Sequence, residues 1–334
     1  MLSTEPIERE DKPAGDSLLS KRMLEPPELL RRATYYPLGF PAEVRTNSEQ
    51  VLEQFAQLWG MFGKLRNTKP IRCEVQCVND AAWDCPPTPS YRLMLPLVTS
   101  IANAENYCIA DLERAEAKIC VSRSALLHPA YARYFLFGVP ACCIATCYAT
   151  PVHAGCVSLN GRGILLCGDS GAGKSTLAYA CARLGFVYTS DDGSYILDQG
   201  VERIVTGNCY QVRFRPAAAK LFPELRDCEV TPRAAGKPSL ELPTSSMTHL
   251  TCVQTARVEH IVFLNRNAAG PAKLVPFSRG LARQWMRRVL YGPAESLARQ
   301  YEAIEKLLET QVLELRYTDL DPAVNCLRSL ANGS

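Results

Sequence analysis

Residues 166–179 read LCGDSGAGKSTLAY, and this stretch decides the fold. Gly168, Gly173, Lys174 and Ser175 stand at the four specified positions of G-x-x-x-x-G-K-[ST], the pattern of a phosphate-binding loop. So short a pattern takes its meaning from its flanks. Before it, GILLC (163–167) is an apolar run of strand length. After it, KSTLAYACARLG (174–185) is helical in composition, with Gly185 placed as a C-terminal cap. In a strand-loop-helix unit, Gly171 and Gly173 supply positive φ, and the helix N-terminus offers unpaired N–H groups and a partial positive charge to an anion. Asp169, Ser170, Ala172 and Thr176 complete the expected cradle. Lys174 would reach the outer phosphates of a nucleotide, and the Ser175 hydroxyl would ligate Mg²⁺.

A phosphate cradle alone does not separate a motor, a switch and a kinase. The next strand-like run, FVYTS (186–190), leads into Asp191 and Asp192, 17 and 18 positions after Lys174. If that strand runs beside the loop strand, both carboxylates emerge at the loop end of the sheet. Adjacent residues of a strand point to opposite faces, so one acid suits Mg²⁺ and the other suits a proton from an attacking hydroxyl. The alternative is that the acids merely cap the turn that follows. His153 stands at the start of the run that pairs with the loop strand through the tight-turn signal NGRG (160–163), within reach of the phosphates. Arg213 and Arg215, two apart in YQVRFRP, project from one side of a later strand and are candidates for neutralising phosphate charge. Lys237, Arg257 and Arg266 are weaker candidates.

Composition narrows the class. The 334 residues are 47% hydrophobic and 21% charged, with a net charge of +3, which is the balance of an ordinary globular chain. Lys and Arg form no basic block with interleaved aromatics, so nucleic acid is not the expected partner. The fifteen cysteines are odd in number and irregularly spaced, and read as reduced thiols. Neither Cys73, Cys77 and Cys85 nor Cys142, Cys143 and Cys147 has the paired spacing of a zinc site. Residues 134–152 carry no charge over membrane-spanning length, but Gly138, Pro140 and the run directly into the loop strands favour a buried helix broken near Pro140. No membrane role is expected, and the polar N-terminus is not that of a secretory signal, so the expected location is the cytoplasm.

Along the chain, residues 1–45 are expected to be a disordered tail. Residues 46–150 read as a small mixed α+β domain: a helix over 48–65 with Ser48 as N-cap, then strands IRCEVQCV, YRLMLPLV, YCIADLE and AKICVS. From residue 151 to 334 the expected unit is an α/β nucleotide-binding domain. It includes a hairpin turning at 198–200, the apolar strand IVFLNR (261–266), a Pro- and Ser-rich mobile loop over 231–246, and a closing helix-strand-helix.

Residues 152–192 resemble the HPr kinase/phosphorylases, and the likeness extends more weakly to about residue 330. In that family a histidine precedes a GDSG-x-GKS loop and an Asp pair follows the next strand, as His153, Gly168 and Asp191 do here. The resemblance implies an HPr-kinase/PEP-carboxykinase-like core and an ATP- and Mg²⁺-dependent kinase that acts on a hydroxyl, that of serine in a protein or peptide. It implies Asp191 as general base with His153 and Lys174 in the catalytic group, Ser175 and Asp192 at the metal, with the roles of the two acids open to exchange, and homo-oligomers as a possibility. Thr176 stands where the family has Glu, and its Arg-Gly-rich signature has no counterpart, so no phosphorylase activity is expected. The alternatives are a small-molecule phosphotransferase or PEP-carboxykinase-like enzyme, and a non-catalytic nucleotide-binding module.

Overall fold

The computed structural model describes residues 28–79, 87–197, 200–231, 237–266 and 270–333. It is a mixed α/β protein built on two large sheets and one small one. The first sheet has the order β1-β2-β3-β7-β6-β5-β4: β1 (Arg31–Tyr35), β2 (Ala42–Thr46), β3 (Ile71–Val78), β4 (Ser90–Met94), β5 (Leu97–Ile101), β6 (Tyr107–Asp111) and β7 (Glu116–Ser122). The expected tail therefore ends early, because β1 and β2 lie within it; residues 1–27 fall outside the described residues. Period-two alternation puts one row of small and branched side chains on a single face, and the register runs it across five strands. Val44, Cys73, Ala117, Ala110 and Val98 are mutual neighbours in that row, and all are buried.

Two helices cover that face. Helix α1 (Glu49–Trp59) buries Val51 and Phe55, and ends at Gly60 rather than at 65. The segment after it is drawn off by Gln254, whose side chain pairs both ways with the Gly63 backbone at 3.2 Å. Helix α2 (Pro129–Tyr148) is long and apolar enough to cross a membrane by length and composition. It instead lays Phe135, Leu136, Val139 and Ile144 into the core over the sheet. It stays helical through Pro140 by taking π-helical turns at 134–138 and 144–148. The run YRLMLPLV is not one strand: Leu95 and Pro96 turn it into the β4–β5 hairpin.

The second sheet has the order β17-β11-β9-β10-β18-β13-β12-β8, with β20 beside β18 and β19 beside β20. Its strands are β8 (Thr150–Val152), β9 (Ala154–Leu159), β10 (Arg162–Cys167), β11 (Val187–Ser190), β12 (Ser194–Ile196), β13 (Ile204–Gly207), β17 (Thr251–Cys252), β18 (Thr255–Asn265), β19 (Lys273–Pro276) and β20 (Gln311–Arg316). β9 and β10 are joined by the expected two-residue turn, with Asn160 and Gly161 both at positive φ. The hairpin β12–β13 also forms, although residues 198–199 of its turn lie outside the described residues. Helices α3 (Lys174–Arg183) and α6 (Leu320–Asn332) cover one face, and α4 (Arg279–Arg287) and α5 (Ala294–Leu307) the other.

The small sheet is β14 (Gln211–Phe214), β16 (Ser239–Pro243) and β15 (Val230–Thr231). Much of the expected mobile loop over 231–246 is therefore strand: Leu240 is buried in the core and pairs with Phe214. Residues 232–236 lie outside the described residues.

Candidate functional site

The loop 168–173 leaves β10 and enters α3, and its glycines are conformational requirements. Gly171 and Gly173 have φ of 93° and 99°, in the left-handed region that side chains disfavour. At Gly168 a Cβ would come 2.7 Å from the Ala172 methyl, so the loop could not fold this tightly with any other residue there. Tyr317, just after β20, braces the loop by donating its hydroxyl to the Ala172 carbonyl at 3.4 Å.

β11 does not lie beside β10 as the simplest reading of the sequence has it. β9 runs between them, antiparallel to both, so β10 and β11 remain parallel and end at the same edge. The glycine loop, the Asp pair and the first residue before β9, His153, therefore converge. At the close packing point beside the acids, Gly155 on β9 leaves room for the chain: a Cβ there would lie 2.9 Å from the Asp191 carbonyl oxygen.

Lys174 is the hub of this cluster. Its side chain is only 4% exposed, and its ammonium donates to the Gly168 carbonyl at 2.9 Å and lies 3.0 Å from His153 Nε2. Asp192 Oδ1 is 3.5 Å from the same ammonium and 3.6 Å from His153 Nδ1. An ammonium has donors only, so Nε2 must accept, and the imidazole is neutral with its proton on Nδ1 facing Asp192. Burial, followed by the Lys174 charge, lowers the His153 pKa and favours that neutral form.

The two acids separate as adjacent strand residues should. Asp192 faces the glycine loop, whereas Asp191 turns the other way and accepts the Arg213 backbone N–H on Oδ2 at 2.8 Å, pinning β14 to the end of β11. Burial pushes the Asp191 carboxyl up to about 7, against the opposing pull of that hydrogen bond.

A cavity of about 450 Å³ opens over the loop. Ser170, Gly171, Gly173, Lys174, Ser175, Thr176, His153, Asp192, Arg213 and Arg215 all line it, so most of the residues singled out from the sequence meet in one place. Asp191 is not on its wall. Lys220 and Arg266 are: the first had no signal in the sequence, the second only a weak one. Trp285 on α4 had none either. It donates from Nε1 to Asp169 Oδ1 at 2.8 Å, and its ring stacks on His153 with centroids 6.2 Å apart. With Trp285 116 positions after Asp169, no local pattern could show the contact. Arg257 sits on β18 outside this wall, paired with Glu259.

The wall suits a polyanion: it carries Lys174, Lys220, Arg213, Arg215 and Arg266 against the single carboxylate of Asp192. No cluster of three or more His, Cys, Asp or Glu side chains able to hold a metal occurs among the described residues, and no disulfide joins any of the fourteen described cysteines.

No family model matches the chain, and no curated protein matches it. Among solved structures, the Hpr(Ser) kinase/phosphatase from Coxiella burnetii is similar over 55% of this chain and 97% of its own, at 11% identity and a TM-score of 0.29. This is a weak structural likeness to a kinase/phosphatase, and the functional reading stands on the residues themselves.

Proposed function

We propose that the protein is an ATP- and Mg²⁺-dependent phosphotransferase with an HPr-kinase-like P-loop core, which moves the terminal phosphoryl group of ATP to a hydroxyl, that of serine in a protein or peptide. The observation that carries this reading is the junction of a left-handed glycine loop and helix N-terminus with the Lys174, His153 and Asp192 cluster in one cationic cavity. A nucleotide fits the donor set, because the loop offers backbone N–H groups and five cationic side chains share the wall. Magnesium fits as well. The Ser175 hydroxyl is a hard oxygen donor, and this cation is usually held by few protein ligands together with phosphate oxygens and water. Bound there, the metal and nucleotide would supply the activated phosphoryl group.

The chain's own residues would do the rest. Lys174 and the Arg213, Arg215 pair neutralise phosphate charge. Neutral His153 turns its Nδ1 proton toward the Asp192 carboxylate at 3.6 Å, too long for a hydrogen bond, and supports that charge electrostatically. The geometry supports exchanging the roles that the family resemblance implies for the acids: Asp192, on the cavity wall, is the better placed to take the acceptor's proton, and Asp191 holds β14 and thereby Arg213 in position.

The test is calorimetry of MgATP binding together with transfer of labelled phosphate to seryl peptides. Lys174→Ala should weaken MgATP binding about 10- to 100-fold, the worth of a charge-assisted contact, and abolish transfer. Equal affinity in parent and variant would overturn the reading.

A further inference from the structure

Beside the phosphate cavity lies a second one of about 310 Å³, and the two walls share two residues, His153 and Asp192. Its other lining comes from distant parts of the chain. Gly138, Ala141, Cys142 and Ala145 are from α2, Pro151 and Val152 from β8, Gly193, Ser194 and Tyr195 follow the Asp pair, and Val289 and Tyr291 precede α5. The junction is held by Gln300 of α5, which donates to the Ala145 carbonyl at 2.9 Å, and by Arg299, which donates to the Thr146 carbonyl. The helix that covers the first sheet thus forms one side of a chamber opening onto the proposed reacting carboxylate.

The chemistry of the two walls is opposite. The phosphate cavity holds five cationic side chains. In the second, the shared pair supplies the only ionisable acid or base among the lining residues apart from the weakly acidic Cys142, Tyr195 and Tyr291. A polyphosphate would find no Lys or Arg among these lining residues, and a carboxylate would find no cationic partner of its own beside Asp192, whose ion pair is with Lys174. Small side chains at Gly138, Ala141, Ala145 and Gly193 leave room in the cavity, and apart from the shared pair its polar atoms come from Ser194, Cys142 and the Tyr195 and Tyr291 hydroxyls.

We infer that this chamber is the acceptor site, and that it admits an uncharged hydroxyl-bearing group: a seryl side chain flanked by neutral backbone rather than a free hydroxy acid or a phosphorylated metabolite. The inference rests on the phosphotransferase reading above. In the step, the acceptor oxygen bonds to the terminal phosphorus of ATP as the bond from that phosphorus to the β,γ-bridging oxygen breaks. ADP leaves with the electron pair, and the acceptor's proton passes to the Asp192 carboxylate.

Two probes carry the same hydroxyl and differ in charge: N-acetylserinamide, which is neutral, and N-acetylserine, which is anionic. Ligand-observed NMR with the full chain measures their binding, calorimetry measures MgATP, and labelled ATP measures transfer. The neutral probe should bind and accept phosphate at least tenfold better than the anionic one. Ala141→Phe on α2 and Val289→Phe on the facing segment fill the chamber from opposite sides. Each should abolish probe binding and transfer while leaving MgATP affinity within about twofold. Absence of MgATP binding in the parent would overturn both readings. Intact MgATP binding would overturn this inference alone if the neutral probe neither binds nor accepts phosphate, if the anionic probe serves equally well, or if filling the chamber leaves probe binding and transfer unchanged. Loss of MgATP affinity in both filled variants would assign the chamber to the nucleotide and overturn it too.

Discussion

The two large sheets distribute apolar side chains differently. In the first, β3 alternates: Ile71, Cys73 and Val75 are buried under α1 and α2, whereas Arg72 and Glu74 face outward, where charges pair across strands as Arg72 with Glu116 and Glu74 with Lys118. In the second, β10 is buried from Gly163 to Cys167 without a break. Ile164 and Leu166 enter the core under α3 and α6, and Leu165 and Cys167 enter the core under α4 and α5. A sheet covered on both faces has no face left for a ligand, so its polar groups gather where the strands end. That is where the glycine loop, His153 and the Asp pair meet. The singly covered sheet contributes packing and, through α2, one wall of the second cavity.

If this contrast is right, damage at the strand ends and damage in the first core should be separable. The largest effect is expected from Asp192→Asn, which keeps shape but cannot take a proton: transfer should fall by about 10²- to 10⁴-fold with MgATP affinity little changed. Single-turnover transfer and calorimetry check it. A variant that instead needs more Mg²⁺ would return Asp192 to the metal role and the proton to Asp191.

Phe55→Ala in the first core removes a fully buried ring that stacks edge-on with Trp59, and should cost about 3–5 kcal/mol of stability. Denaturant unfolding measures that loss, and calorimetry under folding conditions should find MgATP affinity unchanged. A matching fall in affinity would show that the two regions are coupled more tightly than the contrast allows.

The smallest effect concerns Asp191. Its folded pKa is raised from near 3.8 to about 7, mainly by burial. The stability given by the protonated carboxyl is thus fully present below about 3.8 and is lost as pH rises through about 7. Asn stays neutral and can still accept the Arg213 N–H. Asp191→Asn should therefore gain melting temperature relative to the parent between pH 5 and pH 8. A gap that does not change with pH would show that the buried carboxyl does not titrate in this range.

How far the sequence could be read follows from the same physics. The loop, its helix, the Gly185 cap at φ 92° and the β9–β10 turn are local features dictated by glycine conformations, and each stands as read. The alternating strands β3, β6 and β7 were equally plain. Leu95 and Pro96 interrupt a continuous apolar run with a turn that carries no Gly or Asn signal, and so β4 and β5 read as one strand. Pro and Ser around β16 mimic a loop, although Leu240 anchors it in the core. The interposed β9 and the contact of Trp285 with Asp169 depend on long-range pairing, which no window of sequence contains.

The strand order also has a consequence for synthesis. β10 is paired on one side by β9, its immediate predecessor in the chain, but on the other by β18, whose first residue, Thr255, comes 88 positions after Cys167. At roughly 5–20 residues per second, the ribosome leaves that apolar edge without its partner for several seconds at least. β20, which pairs in parallel with β18, follows later still. The nascent chain must therefore guard an open hydrophobic edge at the centre of its future sheet, and a translational pause before residue 255 would raise the demand for a chaperone, whereas one after residue 316 would not.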